Sequence, residues 1–240
     1  MITIIPAIDI IDGKCVRLTH GKFESQTVYN ENPVAVAKEF EAVGIRRLHL
    51  VDLDGARQKR IVNWRILEAI ANQTNLQIDF GGGVQSDDDA QLAFDCGASQ
   101  ITAGSIAVNN REMVLSWLDQ FGEDKIILGA DVKDGKIAIH GWQEYTEIDL
   151  SIFLLNYLEV GIRHVISTDI SRDGALGGPA FEFYQKIKSQ FPEIYLIASG
   201  GVSSIEDVQK LNEMGIDGVI IGKALYEGKI QLEELKVYIH

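Results

Sequence analysis

The sequence predicts a single (β/α)8 TIM barrel with a twofold half-barrel repeat, and three observations carry that prediction. Eight short β-branched runs alternate with amphipathic stretches at a spacing of about 30 residues. The runs are nearly continuous in apolar residues, as expected of parallel strands covered on both faces. The first half of the chain also echoes the second in register, which a doubly wound open sheet would not require.

Taken in order, each predicted strand opens onto a polar or glycine-rich stretch. The first, Ile2–Ile8, runs into Asp9 and then the Asp12-Gly13 turn. The second, Arg47–Val51, follows the helical pattern PVAVAKEFEAVG (Pro33–Gly44), with Pro at its start and Gly at its end. The third, Leu76–Phe80, leads to Gly82-Gly83-Val84, and the fourth, Gln100–Ala103, to Gly104 and Ser105. The fifth, Ile126–Ala130, leads to Asp131 and the Asp134-Gly135 turn. The sixth, His164–Ser167, enters the loop STDISRDGALGG (Ser167–Gly178). The seventh, Tyr195–Ala198, precedes Gly200-Gly201-Val202 and the helical stretch DVQKLNEMG (Asp207–Gly215). The eighth, Gly218–Ile221, ends at Gly222 and Lys223.

The echo is specific. IDIIDGKCV (Ile8–Val16) aligns with ADVKDGKIA (Ala130–Ala138), and VGIRRLHLVD (Val43–Asp52) with VGIRHVISTD (Val160–Asp169). Gly82-Gly83-Val84 aligns with Gly200-Gly201-Val202, Gly97 with Gly215, and Gly104 with Gly222. The offset stays between 117 and 122 residues throughout. Residues 1–240 are therefore read as one barrel made of two half-barrels, approximately 1–122 and 123–240, with no linker between domains.

Composition excludes several functions. The chain has 240 residues, 46% hydrophobic, and a net charge of −13. A surface this acidic repels nucleic acid and anionic membranes. Cys15 and Cys96 form neither a disulfide framework nor a ligand spacing, which suits a reducing compartment. The N-terminal stretch MITIIPAIDIIDGK is too short to span a bilayer, is broken by Pro6 and lacks a basic start, so no signal peptide is expected. The expected location is the cytoplasm. The five histidines, His20, His49, His140, His164 and His240, are scattered, and no metal site is expected. No dinucleotide fingerprint and no nucleophile elbow occurs.

Two features carry chemistry. A Gly-Gly turn lets backbone N–H groups approach a ligand with no Cβ in the way, and such oriented amides suit phosphate. One such turn in isolation reads more readily as a cap on a strand-to-helix turn than as a phosphate site. Two in register, each followed by a strand ending in glycine (Gly104 with Ser105, Gly222 with Lys223), imply a ligand with a phosphate at each end. The carboxylates Asp9 and Asp131 follow strands placed opposite each other in the barrel, where one can take a proton while the other gives one. Asp12 and Asp134 belong to the turns. The loop after the sixth strand offers Thr168, Asp169 and Asp173 and ends in glycines, with Gly178 grouped with the phosphate-binding positions; it is either a closing lid or a surface loop. Trp142, in HGWQE, either stacks on a heterocycle or packs.

At IPAIDIIDGKCVRLTHGKF, VDLDGA, FGGGVQ, GADVKDGKIAIHGW, TDISRDG and SGGV the whole chain resembles the ProFAR isomerases of histidine biosynthesis. The resemblance implies an Amadori rearrangement of a bis-phosphorylated ribosylamine, without metal or organic cofactor, by a monomer in the family's manner. It places the base at Asp9, the proton donor at Asp131 with Asp173 as competitor, a substrate-orienting threonine at Thr168, a stacking tryptophan at Trp142, and a substrate-holding arginine at Arg17. The related cyclase subunit of imidazole glycerol phosphate synthase is the rival reading. It typically carries lysine where this chain has Arg17, and cysteine or a similar residue at Ala7. Two further readings stay open: a bifunctional isomerase that also acts on phosphoribosylanthranilate, and a non-catalytic barrel that binds phosphorylated metabolites.

Overall fold

The computed structural model describes residues 1–19 and 22–239; His20, Gly21 and His240 lie outside them. The chain opens with β1 (Thr3–Ile11), which turns into the antiparallel strands β2 (Lys14–Thr19) and β3 (Lys22–Asn30). Helix α1 (Pro33–Ala42) follows, with Pro33 in its first turn and the Asn32 side chain accepting from Ala35 N. Next come β4 (Arg47–Asp52), α2 (Leu53–Gln58), α3 (Trp64–Gln73), β5 (Gln77–Gly81), α4 (Asp87–Asp95), β6 (Gln100–Ala103), α5 (Ser105–Asn109) and α6 (Arg111–Phe121). The second half contains β7 (Ile126–Lys133), then an antiparallel pair, β8 (Lys136–Ile139) and β9 (Glu144–Asp149). It continues with α7 (Leu150–Leu158), β10 (His164–Asp169), α8 (Phe181–Gln190), β11 (Tyr195–Ser199), α9 (Ile205–Glu213), β12 (Gly218–Ile221) and α10 (Lys223–Tyr226).

Eight strands, β1, β4, β5, β6, β7, β10, β11 and β12, pair in parallel and close on themselves through β12–β1 and β7–β10. The eight predicted strands all lie on this barrel. Two boundaries need correction. Asp9 does not end the first strand, nor Asp131 the fifth, because both strands run on beyond the barrel as two-stranded ribbons. Asp9 pairs with Val51 in the barrel and with Val16 in the ribbon. The ribbon turns explain why: Asp12 and Gly13 lie at φ 50° and 77°, Asp134 and Gly135 at 51° and 79°. Two successive residues at positive φ match the right-handed twist of a tight hairpin, and Asp-Gly is a favoured pair there.

Alternation along β1 divides the core. Ile4, Ile8 and Ile10 face the helices and join a large cluster that includes Leu48, Leu50, Phe80 and Trp117. Ile5 and Ala7 point into the barrel with Ile127, Ile166, Ile197 and Ile220. Burying a large apolar side chain of this kind contributes on the order of 1.5–3 kcal/mol. That packing holds the strand ends, and so the residues they carry, in fixed positions.

The acidic residues after the glycine turns serve the helices. Ser86 accepts from Asp89 N while Asp89 Oδ2 accepts from Gln85 N, at the start of α4. At the start of α9, Ser204 accepts from Asp207 N and Asp207 Oδ2 accepts from Ser203 N. Both are N-cap arrangements, in matching positions of the two halves.

Candidate active site

The cavity at the C-terminal ends of the barrel strands has a volume of about 350 Å³ and is lined by Asp9, Arg17, His49, Asp131, Trp142 and Thr168, among others. β1 and β7 stand four strands apart in either direction round the barrel, so Asp9 and Asp131 face each other across it. Thr168 on β10 is the register neighbour of Asp131 on β7 and hydrogen-bonds it. Trp142 stands in the turn between β8 and β9 at φ 68° and donates from Nε1 to Asp131 Oδ2. It therefore lines the cavity wall rather than filling the core.

Arg17 reaches the site from β2. Its Nη1 donates to Asp9 Oδ2 at 2.8 Å, and its Nη2 lies 3.6 Å from Asp173 Oδ1. The guanidinium also covers Gly222, where a Cβ would come within 2.7 Å of it. The loop after β10 thus brings Asp173, 8% exposed, to the rim. The loop is tied down by Ile170 N to Val132 O and Gly178 N to Gly201 O.

The two glycine turns match in backbone as well as in sequence. Gly82 and Gly83 lie at φ 90° and 88°, Gly200 and Gly201 at 95° and 82°. A Cβ on Gly82 would lie 2.2 Å from the Asp52 carbonyl oxygen, and one on Gly201 would lie 2.5 Å from that of Gly178. No other residue fits at either turn. Gly104 and Gly222 also share their geometry, φ −93° and ψ −104° against φ −110° and ψ −94°. Around the first turn the cavity wall includes Gly104 and Ser105, whose Oγ accepts from His140 N. Around the second, Arg17, Gly200, Gly201, Gly222 and Lys223 line a smaller recess. Lys223 Nζ donates to Gly174 O there and lies 3.7 Å from Glu227.

A family profile described as histidine biosynthesis protein matches residues 3–231. This chain belongs to that family. A relative from Parabacteroides distasonis, named 1-(5-phosphoribosyl)-5-((5-phosphoribosylamino)methylideneamino)imidazole-4-carboxamide isomerase, is 61% identical over 235 residues, 98% of each chain. Relatives of the same name from Bacteroides thetaiotaomicron and Cytophaga hutchinsonii are 56% and 57% identical, over 100% and 98% of each chain.

In this histidine biosynthesis protein the two facing carboxylates have different surroundings. Burial pushes the Asp131 carboxyl above its ordinary value, while the bonds from Thr168 and Trp142 and the nearby His49 pull it back in part. Asp9 is instead held by a guanidinium. Among the described residues no cluster of three or more His, Cys, Asp or Glu side chains could hold a metal ion, and no helix is long and apolar enough to cross a membrane. Sequence reasoning missed His49. It stands inside β4, one inward-facing position deeper than Asp9, with Nδ1 2.6 Å from Asp79 Oδ1. A lone polar residue in an apolar run gives no motif; only inward alternation could have marked it.

Proposed function

We propose that this protein converts the aminoaldose ProFAR, bis-phosphorylated and bearing an imidazole carboxamide, to its aminoketose isomer in histidine biosynthesis. The observation that carries the reading is the placement of Asp9 and Asp131 on opposite barrel strands, between two glycine turns of matching backbone. A relative of 61% identity named as an isomerase of this compound supports it.

In this reading one phosphate binds at Gly82, Gly83, Gly104 and Ser105, and the other at Gly178, Gly200, Gly201, Gly222 and Lys223, with Arg17 beside it. An acid, Asp131 or Asp173, protonates the furanose ring oxygen, and the ring opens to a protonated Schiff base. Asp9 then removes the proton from C2, and the resulting enolamine tautomerises to the aminoketose. Thr168 hydrogen-bonds near the reacting carbons, and Trp142 stacks on the heterocycle. Raising the Asp131 carboxyl above its ordinary value keeps a proton available to it at higher pH, as a general acid needs. The same reading takes the chain as a cytoplasmic monomer of two half-barrels dividing near Gly122; its two cysteines, both free and buried, suit a reducing compartment.

The test is to mix purified protein with ProFAR and follow absorbance and product mass. Conversion to the isomer without ammonia is the expected result. Ammonia-dependent consumption of the ketose would assign the chain to the cyclase instead, and turnover of phosphoribosylanthranilate would add a second activity. Binding of ProFAR with no conversion would leave a non-catalytic barrel.

A further inference from the structure

The floor of the cavity differs between its two halves. On one side His49 Nδ1 lies 2.6 Å from Asp79 Oδ1, and Thr102 Oγ1 donates to the same oxygen at 3.2 Å. Asp79 is 2% exposed, and its Oδ2 is buried without a hydrogen-bond partner. His49 and Asp79 are register neighbours on β4 and β5, and Thr102 follows on β6. The equivalent positions in the other half are Ile166, Ile197 and Ile220, which pack with Ile5, Ala7 and Ile127.

The fold itself therefore accepts isoleucine at all three positions. A purely structural role would favour it, since a buried carboxylate with one unpaired oxygen is costly. The polar trio is retained on one side only, where its imidazole lines the cavity. A carboxylate can only accept, so its partner Nδ1 carries the proton. Among the described residues Nε2 makes no hydrogen bond within the protein.

We propose that Asp79 is a positioning residue for the isomerisation: it fixes the ring and proton of His49 so that Nε2 meets the substrate's sugar hydroxyls, one inward position below Asp9. This deepens the isomerase reading and rests on it. The charged groups around the ring are Asp79 on β5, Asp9 on β1, Arg17 on β2 and Asp131 on β7. Burial opposes a charge on His49, but Asp79 and Asp9 outweigh burial and Arg17, and the net displacement is upward. The imidazole is thus held as a donor at Nε2 to higher pH than a free histidine.

The experiment follows the His49 ring by long-range 1H–15N and 1H–13C NMR in the substrate-free protein. In the native protein Nδ1 should be protonated at neutral pH and the ring should titrate above the ordinary histidine range. In Asp79→Asn the titration should move down, and kcat/KM for ProFAR should fall about 10- to 100-fold, the worth of one charge-assisted hydrogen bond. Thr102→Val, which leaves the carboxylate in place, should move the titration less. An unprotonated Nδ1 in the native spectrum overturns the proposal without any variant having to fold. So does loss of activity in Asp79→Asn with the titration unmoved, which is what a merely structural role would give. Because the titration needs no substrate, failure of the native protein to convert ProFAR would count against the isomerase reading alone.

Discussion

Trp142 donates its indole N–H to the Asp131 carboxylate across 2.8 Å. The bond ties a turn outside the barrel to a carboxylate at its mouth, and it favours the ionised form. Trp142→Phe keeps an aromatic ring and removes the donor. The Asp131 carboxyl should then rise further above its ordinary value, and the limb of the pH–kcat profile that it governs should move to higher pH. kcat/KM should fall about 10- to 100-fold, as for loss of one hydrogen bond to a charged group. A profile that keeps its limbs would separate Trp142 from the proton transfer.

Asp131 also sets a stability prediction, with a sign opposite to that of most carboxylates. Its folded value lies above the unfolded one, so the folded protein holds this proton more tightly. The contribution to stability is complete below the unfolded value and is lost as pH rises through the folded one. Above that folded value the ionised Asp131 is a burden on the fold. Asp131→Asn should raise Tm at pH 7 and lose that advantage in acid, while kcat drops about 10²- to 10⁴-fold. Thermal melts at pH 4 and pH 7 beside single-turnover assays check both halves.

Asp9→Asn should reduce kcat about 10²- to 10⁴-fold with substrate binding retained, because the base is lost while the phosphate grips remain. Calorimetric titration with ProFAR beside steady-state kinetics distinguishes this from a binding defect. Turnover close to that of the native protein would remove Asp9 from the role of base.

Gly82→Ala should be damaging far beyond its size. Its φ of 90° is strained for any other residue, and the added methyl would lie 2.2 Å from the Asp52 carbonyl oxygen. Strain of this kind alone costs about 1–3 kcal/mol, and displacement of the turn adds loss of phosphate affinity. Chemical denaturation and inorganic phosphate binding should both register the change.

The eight barrel strands were legible because both of their faces are covered, so apolar runs mark them without interruption. The ribbon strands were not. KFESQTVYN and EYTEID, which form β3 and β9, contain no such run. Their sole advance signal was the pair of Asp-Gly turns. Asp9 and Asp131 could be found from their positions just beyond apolar runs. Arg17 could be placed only by resemblance, because its reach over Gly222 depends on β2 folding back across the barrel mouth. His49 and Asp79 were hidden for another reason: each is a polar residue inside a buried strand, and their meeting depends on the register of β4 with β5.

The near-identical backbones of the two glycine turns would by themselves treat the two ends of a molecule with like tips alike. The side chains beside them do not match: Ser105 stands at one turn, Arg17 and Lys223 at the other. The walls between them differ as well, where Thr168 stands opposite in the repeat to Val51, and His49 to Ile166. A doubled backbone dressed with unlike side chains thus acts as a compass, giving a two-ended guest one preferred heading.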